Sequence, residues 1–139
     1  MYNKIVIGLD GSEGAARALT HAKGLAEESG GEVIAVFVDE RIAAKGDLPK
    51  PGQEEVLEGI RAQVSGLADA GVKAELVERT IALGGPGGEV AAVAEAAGAD
   101  LIVVGTRGHS TIPGLLLGSV AHRLLHVAGR PVLAVPPSD

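Results

Sequence analysis

Val103-Val104-Gly105-Thr106-Arg107-Gly108-His109-Ser110-Thr111-Ile112-Pro113-Gly114-Leu115-Leu116-Leu117-Gly118-Ser119-Val120 is the stretch from which this chain is best read. The apolar run Leu101 to Val104 leads into it, and the amphipathic run Val120 to Ala128 leads out. Between them lie four glycines, one arginine and several hydroxyls. A buried strand that ends in glycine and hands over to a helix opening at Gly118-Ser119 is a place to hold an anion. Glycines let the backbone approach a ligand. A helix start offers unpaired N–H groups and the positive end of the dipole. The stretch therefore predicts a phosphate site, and the rest of the chain should supply its walls.

Working outward, the same strand-then-helix pattern recurs. Ile5 to Leu9 is a short apolar run without clean alternation, which predicts a strand buried on both faces. Asp10-Gly11-Ser12 is a turn with Ser12 as N-cap. Ala15, Ala18, Leu19, Ala22, Leu25 and Ala26 then make one apolar stripe on a helix that Gly30-Gly31 stops. Val33 to Val38 is a second strand. Residues 39–52 are charged and rich in Pro and Gly, which predicts an exposed loop, the most mobile part of the chain. A helix over Gln53 to Asp69 would bury Val56, Leu57, Ile60, Val64 and Leu67. A third strand lies within Lys73 to Leu83. Val90, Val93, Ala94 and Ala97 stripe a third helix that Gly98 ends. A last helix from Ser119 to about Ala128 shares Val120, Ala121, Leu124, Leu125 and Ala128 on one face, and Val132 to Val135 is a fifth strand.

Alternating strands and helices predict an α/β fold: one parallel five-stranded sheet with helices on both faces. Ligands of such sheets sit beyond the carboxyl ends of the strands, where the strand order reverses. A length of 139 residues with 46% hydrophobic residues suits one domain, 1–139, with one core. With one Phe and one Tyr, that core must be built from Val, Ile, Leu and Ala.

Composition excludes several functions. Net charge is −6 and no long basic run occurs, so nucleic acid is not the expected partner. The scarcity of aromatics argues against base-stacking readers of single strands. Without cysteine there is no disulfide and no thiolate chemistry, which fits a cytoplasmic location. The opening apolar run is too short for a signal peptide. No stretch approaches the ~20 apolar residues of a membrane span.

Gly105-x2-Gly108-x9-Gly118-Ser119, together with Lys4-Ile5-Val6-Ile7-Gly8-Leu9-Asp10-Gly11-Ser12 at the other end of the chain, resembles the ATP-binding branch of the universal stress protein family. Val120 and Arg130-Pro131-Val132 extend the likeness. The resemblance covers essentially the whole chain. It implies a Rossmann-like fold of the adenine nucleotide alpha hydrolase type, with strand order 3-2-1-4-5. It also implies an ATP site drawn from Gly8, Leu9, Asp10, Phe37, Val38, Val104, Gly105, Thr106, Arg107, Gly108, His109, Gly118, Ser119 and Val120.

In that picture Gly105 and Gly108 let the loop curl around phosphate, and Gly118, Ser119 and Val120 offer backbone N–H groups. Arg107 meets phosphate or ribose. Asp10 contacts the ligand, through Mg or Mn or the ribose hydroxyls, while also helping Ser12 cap the first helix. Phe37, bulkier than the aliphatic residue expected there, either stacks on the base or belongs to the core. The resemblance further implies a homodimer through residues 132–135 and a protein partner of unknown kind.

Other motifs are weaker. Gly8-x-x-Gly11-x-x-Gly14 is not Gly-x-Gly-x-x-Gly, and Asp39 and Glu40 only approximate the acid of a dinucleotide fold. Gly84 to Gly88 resembles a phosphate loop, but Pro86 removes a donor and suits a first helical turn. His122 and His126, four residues apart, and His21 fall on solvated faces. No dedicated nucleophile or general base is present. The function expected is an ATP-dependent regulatory module of the stress response. A slow metal-dependent ATPase and a nucleotide-free interaction dimer are the alternatives.

Overall fold

The computed structural model describes residues 2–39, 52–80, 84–107 and 117–137. Nine elements alternate along it: β1 (Lys4–Gly8), α1 (Glu13–Ser29), β2 (Glu32–Asp39), α2 (Gln53–Asp69), β3 (Lys73–Thr80), α3 (Gly85–Ala97), β4 (Leu101–Gly105), α4 (Ser119–Val127) and β5 (Val132–Val135). The strands form one sheet in the order β3-β2-β1-β4-β5, and every recorded pairing is parallel. That is the implied order 3-2-1-4-5. The loop expected over residues 39–52 falls almost wholly outside the described residues, as do Gly108 and His109.

Both faces of the central strands are covered, which is why their sequence does not alternate apolar with polar. Ile5 and Ile7 of β1 join Leu101 and Val103 of β4 in a core under α1 and α2. Val6, Ile102 and Val104 point the other way, into a second core under α3 and α4. Branched aliphatics dominate both cores, as the near-absence of aromatics requires.

Local chemistry sets the helix ends. Ser12 accepts a hydrogen bond from Ala15 N–H at 3.2 Å, so it caps α1. Gly30 and Gly98 close α1 and α3 in the left-handed region. Arg130 ties three segments together. Its guanidinium donates to the carbonyls of Ala94 (2.9 Å), Ala99 (2.7 Å) and Ala128 (3.1 Å), satisfying chain at the ends of α3 and α4.

Leu125 departs from the expected pattern: it is 58% exposed. Ala121, Leu124 and Ala128 are buried against the sheet, with Val120 packed part-buried beside them. Leu125 lies one step of about 100° round the helix from Leu124, on its flank. His122, His126 and His21 are exposed, as expected.

Candidate functional site

In this topology all four helices begin at the carboxyl edge of the sheet, each following a strand. A cavity of about 450 Å³ opens there, between the diverging ends of β1 and β4. Small-molecule sites commonly span roughly 300–1,000 Å³. Its walls include Gly8, Leu9 and Asp10 after β1, Phe37 and Val38 of β2, Val104 to Arg107 at β4, and Gly118, Ser119 and Val120 at the start of α4. Every described residue among the expected site residues is thus on one cavity.

The two ends of the cavity differ in chemistry. At the α4 end, the first intrahelical bond runs from His122 N–H to the Gly118 carbonyl, at 2.9 Å. The amides of Ser119, Val120 and Ala121 precede it, and Gly118 makes no side-chain cap. The helix dipole adds positive potential at the same point. Arg107 is the one cationic side chain among the described lining residues. In a chain of net charge −6, attraction for an anion has to be local in this way.

The β2 end is apolar, with Val36, Phe37, Val38 and Val56. Its backbone is the polar part. Leu9 N–H donates to the Val36 carbonyl at 2.9 Å, so both polar groups of Val36 face β1. Two residues on, the same alternation turns Val38 N–H and C=O to that side. The β1 register has ended by then, at Gly8 opposite Val36. Val38 therefore offers a donor and an acceptor, side by side, toward the cleft.

Residues 1–136 match the model of the universal stress protein family. The chain belongs to that family. Universal stress protein MJ0531 of Methanocaldococcus jannaschii is 39% identical, with 97% of this chain and 82% of the relative covered. The solved structure of MJ0577, from the same organism, superposes with a TM-score of 0.87 at 29% identity, covering 100% of this chain and 99% of that one. A universal stress protein in complex with cAMP is 28% identical, with a TM-score of 0.72 and coverage of 99% and 98%. One from Archaeoglobus fulgidus in complex with dAMP is 25% identical, with a TM-score of 0.73 and coverage of 96% and 97%.

Two backbone donors of this universal stress protein's cavity wall are already engaged within the fold. Gly118 N–H is not available to a ligand, because it donates to the Thr106 carbonyl. Thr106 N–H continues the sheet, donating to Val135 at 2.9 Å. The available set at the helix start is displaced by one residue, to Ser119, Val120 and Ala121. Gly105 is needed for space: a Cβ there would lie 2.8 Å from the carbonyl carbon of Gly14. The end of β4 rests directly on the first turn of α1. From the other side, a Cβ at Gly14 would lie 2.6 Å from the Arg107 carbonyl oxygen.

Phe37 resolves toward the core. It is 4% exposed and packs with Leu9, Ala15 and Ile60 on the α1–α2 side, while forming part of the cavity wall. Asp10 accepts from Ser12 N–H at 2.9 Å, which stiffens the turn into α1. Sequence reasoning missed the α2 contribution, Gly52, Gln53 and Val56, and also Ala121. Ala121 was recoverable, since the third residue of a helix always carries an unpaired amide. Pro86 and Val90 belong to the wall as well, although Pro86 starts α3 as expected.

Proposed function

We propose that this universal stress protein binds ATP at the carboxyl edge of its sheet and acts in the cytoplasm as a nucleotide-dependent regulatory module of the stress response. One observation carries the reading: a single cavity joins an apolar end, flanked by the Val38 backbone pair, to an end lined by uncapped helical amides and Arg107. A purine fits the first by apolar contact and two hydrogen bonds. A polyphosphate suits the second, where main-chain donors and the dipole neutralise it. The relatives in complex with cAMP and dAMP support an adenine nucleotide.

The donor set also fits Mg²⁺ or Mn²⁺ carried in with the triphosphate. Such ions are held by one or two carboxylates plus phosphate oxygens. Asp10 lines the cavity, and among the described residues no group of three or more acidic or histidine side chains forms a cage of its own. Asp10 would hold the ion, whose charge would offset that of the phosphates.

A homodimer belongs to the same proposal. β5 is a sheet edge, paired only to β4 within the described residues, and its side chains Val132, Leu133 and Ala134 are half-buried. An apolar edge of this kind needs cover, and a second copy of β5 supplies it. Light scattering should give twice the chain mass, and Leu133→Lys should halve it; a monomeric wild type would remove this part.

Calorimetry with ATP and Mg²⁺ tests the binding itself. Saturable one-site heat is expected, with loss of affinity on chelating the metal. Absence of heat, together with no adenine nucleotide released on denaturing freshly purified protein, would favour the nucleotide-free dimer.

A further inference from the structure

Gln53 is the first residue of α2, and it lines the cavity at the apolar end. It is the one polar side chain that β2 and α2 contribute to the wall among the described residues. Ser12 is engaged as the cap of α1, and Thr106, Arg107 and Ser119 stand at the β4–α4 end. Val56, one turn further along α2, lines the same end of the cavity. The first turn of α2 is therefore part of the cavity wall, tied by Gln53 to the end of β2 next to Val38.

The Gln53 carboxamide is held in one orientation. Its Nε2 donates to Asp39 Oδ1 across 3.3 Å, in a part-buried bond between the end of β2 and the start of α2. An ionised carboxylate only accepts hydrogen bonds. Turning the amide over would set Oε1 against Oδ1, two acceptors in contact. The amino side is therefore committed to Asp39, and the carbonyl Oε1 remains as an acceptor on the cavity wall.

We propose that Gln53, oriented by Asp39, is a side chain by which the cavity selects a purine bearing an amine at C6, reading adenine against hypoxanthine or guanine. The inference rests on the nucleotide-binding reading above and adds to it a source of base specificity. An amine at C6 of the purine donates to Oε1. A carbonyl at C6 brings a second acceptor to the same place, so one hydrogen bond is lost and a repulsion gained. The Val38 pair favours adenine too, its N–H meeting the unprotonated N1 and its C=O one hydrogen of the amine, and Gln53 adds an acceptor for the amine's second hydrogen. Asp39 is a positioning residue: it acts on the ligand only through Gln53.

The test measures affinity for ATP and for inosine triphosphate, which carries a carbonyl in place of the amine, in wild type, Gln53→Leu and Asp39→Asn. Wild type should prefer ATP by roughly tenfold, the scale of one discriminating hydrogen bond. Gln53→Leu should lower the ATP-to-inosine ratio several-fold, mainly by weakening ATP, and leave the preference that the Val38 pair supplies. Asp39→Asn should also lower the ratio, because an asparagine can meet either face of the amide and no longer fixes it. Leucine is a good helix former at an intermediate position, so circular dichroism and the melting curve should match wild type. A ratio unchanged from wild type in Gln53→Leu overturns the proposal. So does an equal loss for both nucleotides, which would place Gln53 on the ribose or phosphates they share. If wild type binds neither nucleotide, it is the parent reading that fails.

Discussion

Gly105→Ala is expected to lower folding stability by about 2–3 kcal/mol, near the top of the range for overpacking a tight contact. A domain of this size holds only about 5–15 kcal/mol in all. The cause is specific. The new Cβ would sit 2.8 Å from the Gly14 carbonyl carbon and 2.9 Å from its oxygen. Both are backbone atoms of a helix and cannot swing aside. Gly14→Ala should cost a similar amount, since its Cβ would meet the Arg107 carbonyl oxygen at 2.6 Å. The two changes press on one contact, so the double variant should cost less than the sum. Gly24→Ala is the contrast. It lies inside the same helix with nothing within 4 Å of its Cβ. It should raise stability by roughly 0.5–1 kcal/mol through propensity alone. Thermal melts of the three single variants read the sign directly, with a fall on the order of 5–10 °C for Gly105→Ala. A melting point for Gly105→Ala at or above wild type would contradict the close approach of β4 to α1.

Gly118→Val should reduce ATP affinity at least about 100-fold, equivalent to roughly 2.7 kcal/mol, while the protein stays folded. Gly118 has φ −72° and ψ 167°, an extended conformation open to any residue. Its amide bond to Thr106 and its carbonyl bond to His122 involve backbone only, so both survive the change. Valine is a poor N-cap, which costs α4 on the order of 1 kcal/mol against a good cap and less against glycine. Gly118, however, lines the cavity next to Ser119 and Val120, so a valine side chain there is expected to take up volume assigned to phosphate. Calorimetry paired with a melting curve separates the two effects. Wild-type affinity in a folded Gly118→Val protein would move the phosphate site elsewhere.

Much of this architecture was legible because it follows from local pattern. Uninterrupted aliphatic runs at Ile5 and Leu101 required a sheet covered on both faces, and Ser12, Gly30 and Gly98 marked helix ends through capping chemistry. The strand order was different in kind: periodicity does not encode it, and it came from resemblance. The described site candidates, scattered along the sequence, line one cavity; the backbone donors within it were less legible. Gly118 looked like a ligand amide, but a loop closure to Thr106 consumes it, and that bond depends on tertiary structure. Gly14 was dismissed as part of a failed glycine motif. Its partner is Gly105, far along the chain, and one sequence carries no sign of such pairing. Leu125 was assigned to the buried stripe because hydrophobicity marks a broad arc, whereas the width actually covered depends on neighbours. Gln53 and Val56 were missed for the same reason: nothing local says which cavity a helix start will overhang.

Titration of isotopically labelled protein with ATP and Mg²⁺, followed through the backbone amide resonances, tests the central claim most directly. The largest shifts are predicted at Ser119, Val120 and Ala121, with a second group at Val38, and none around Ala26, Gly71 and Lys73 at the opposite edge of the sheet. Saturable binding that leaves the Ser119–Ala121 amides unmoved would contradict a phosphate grip by the start of α4.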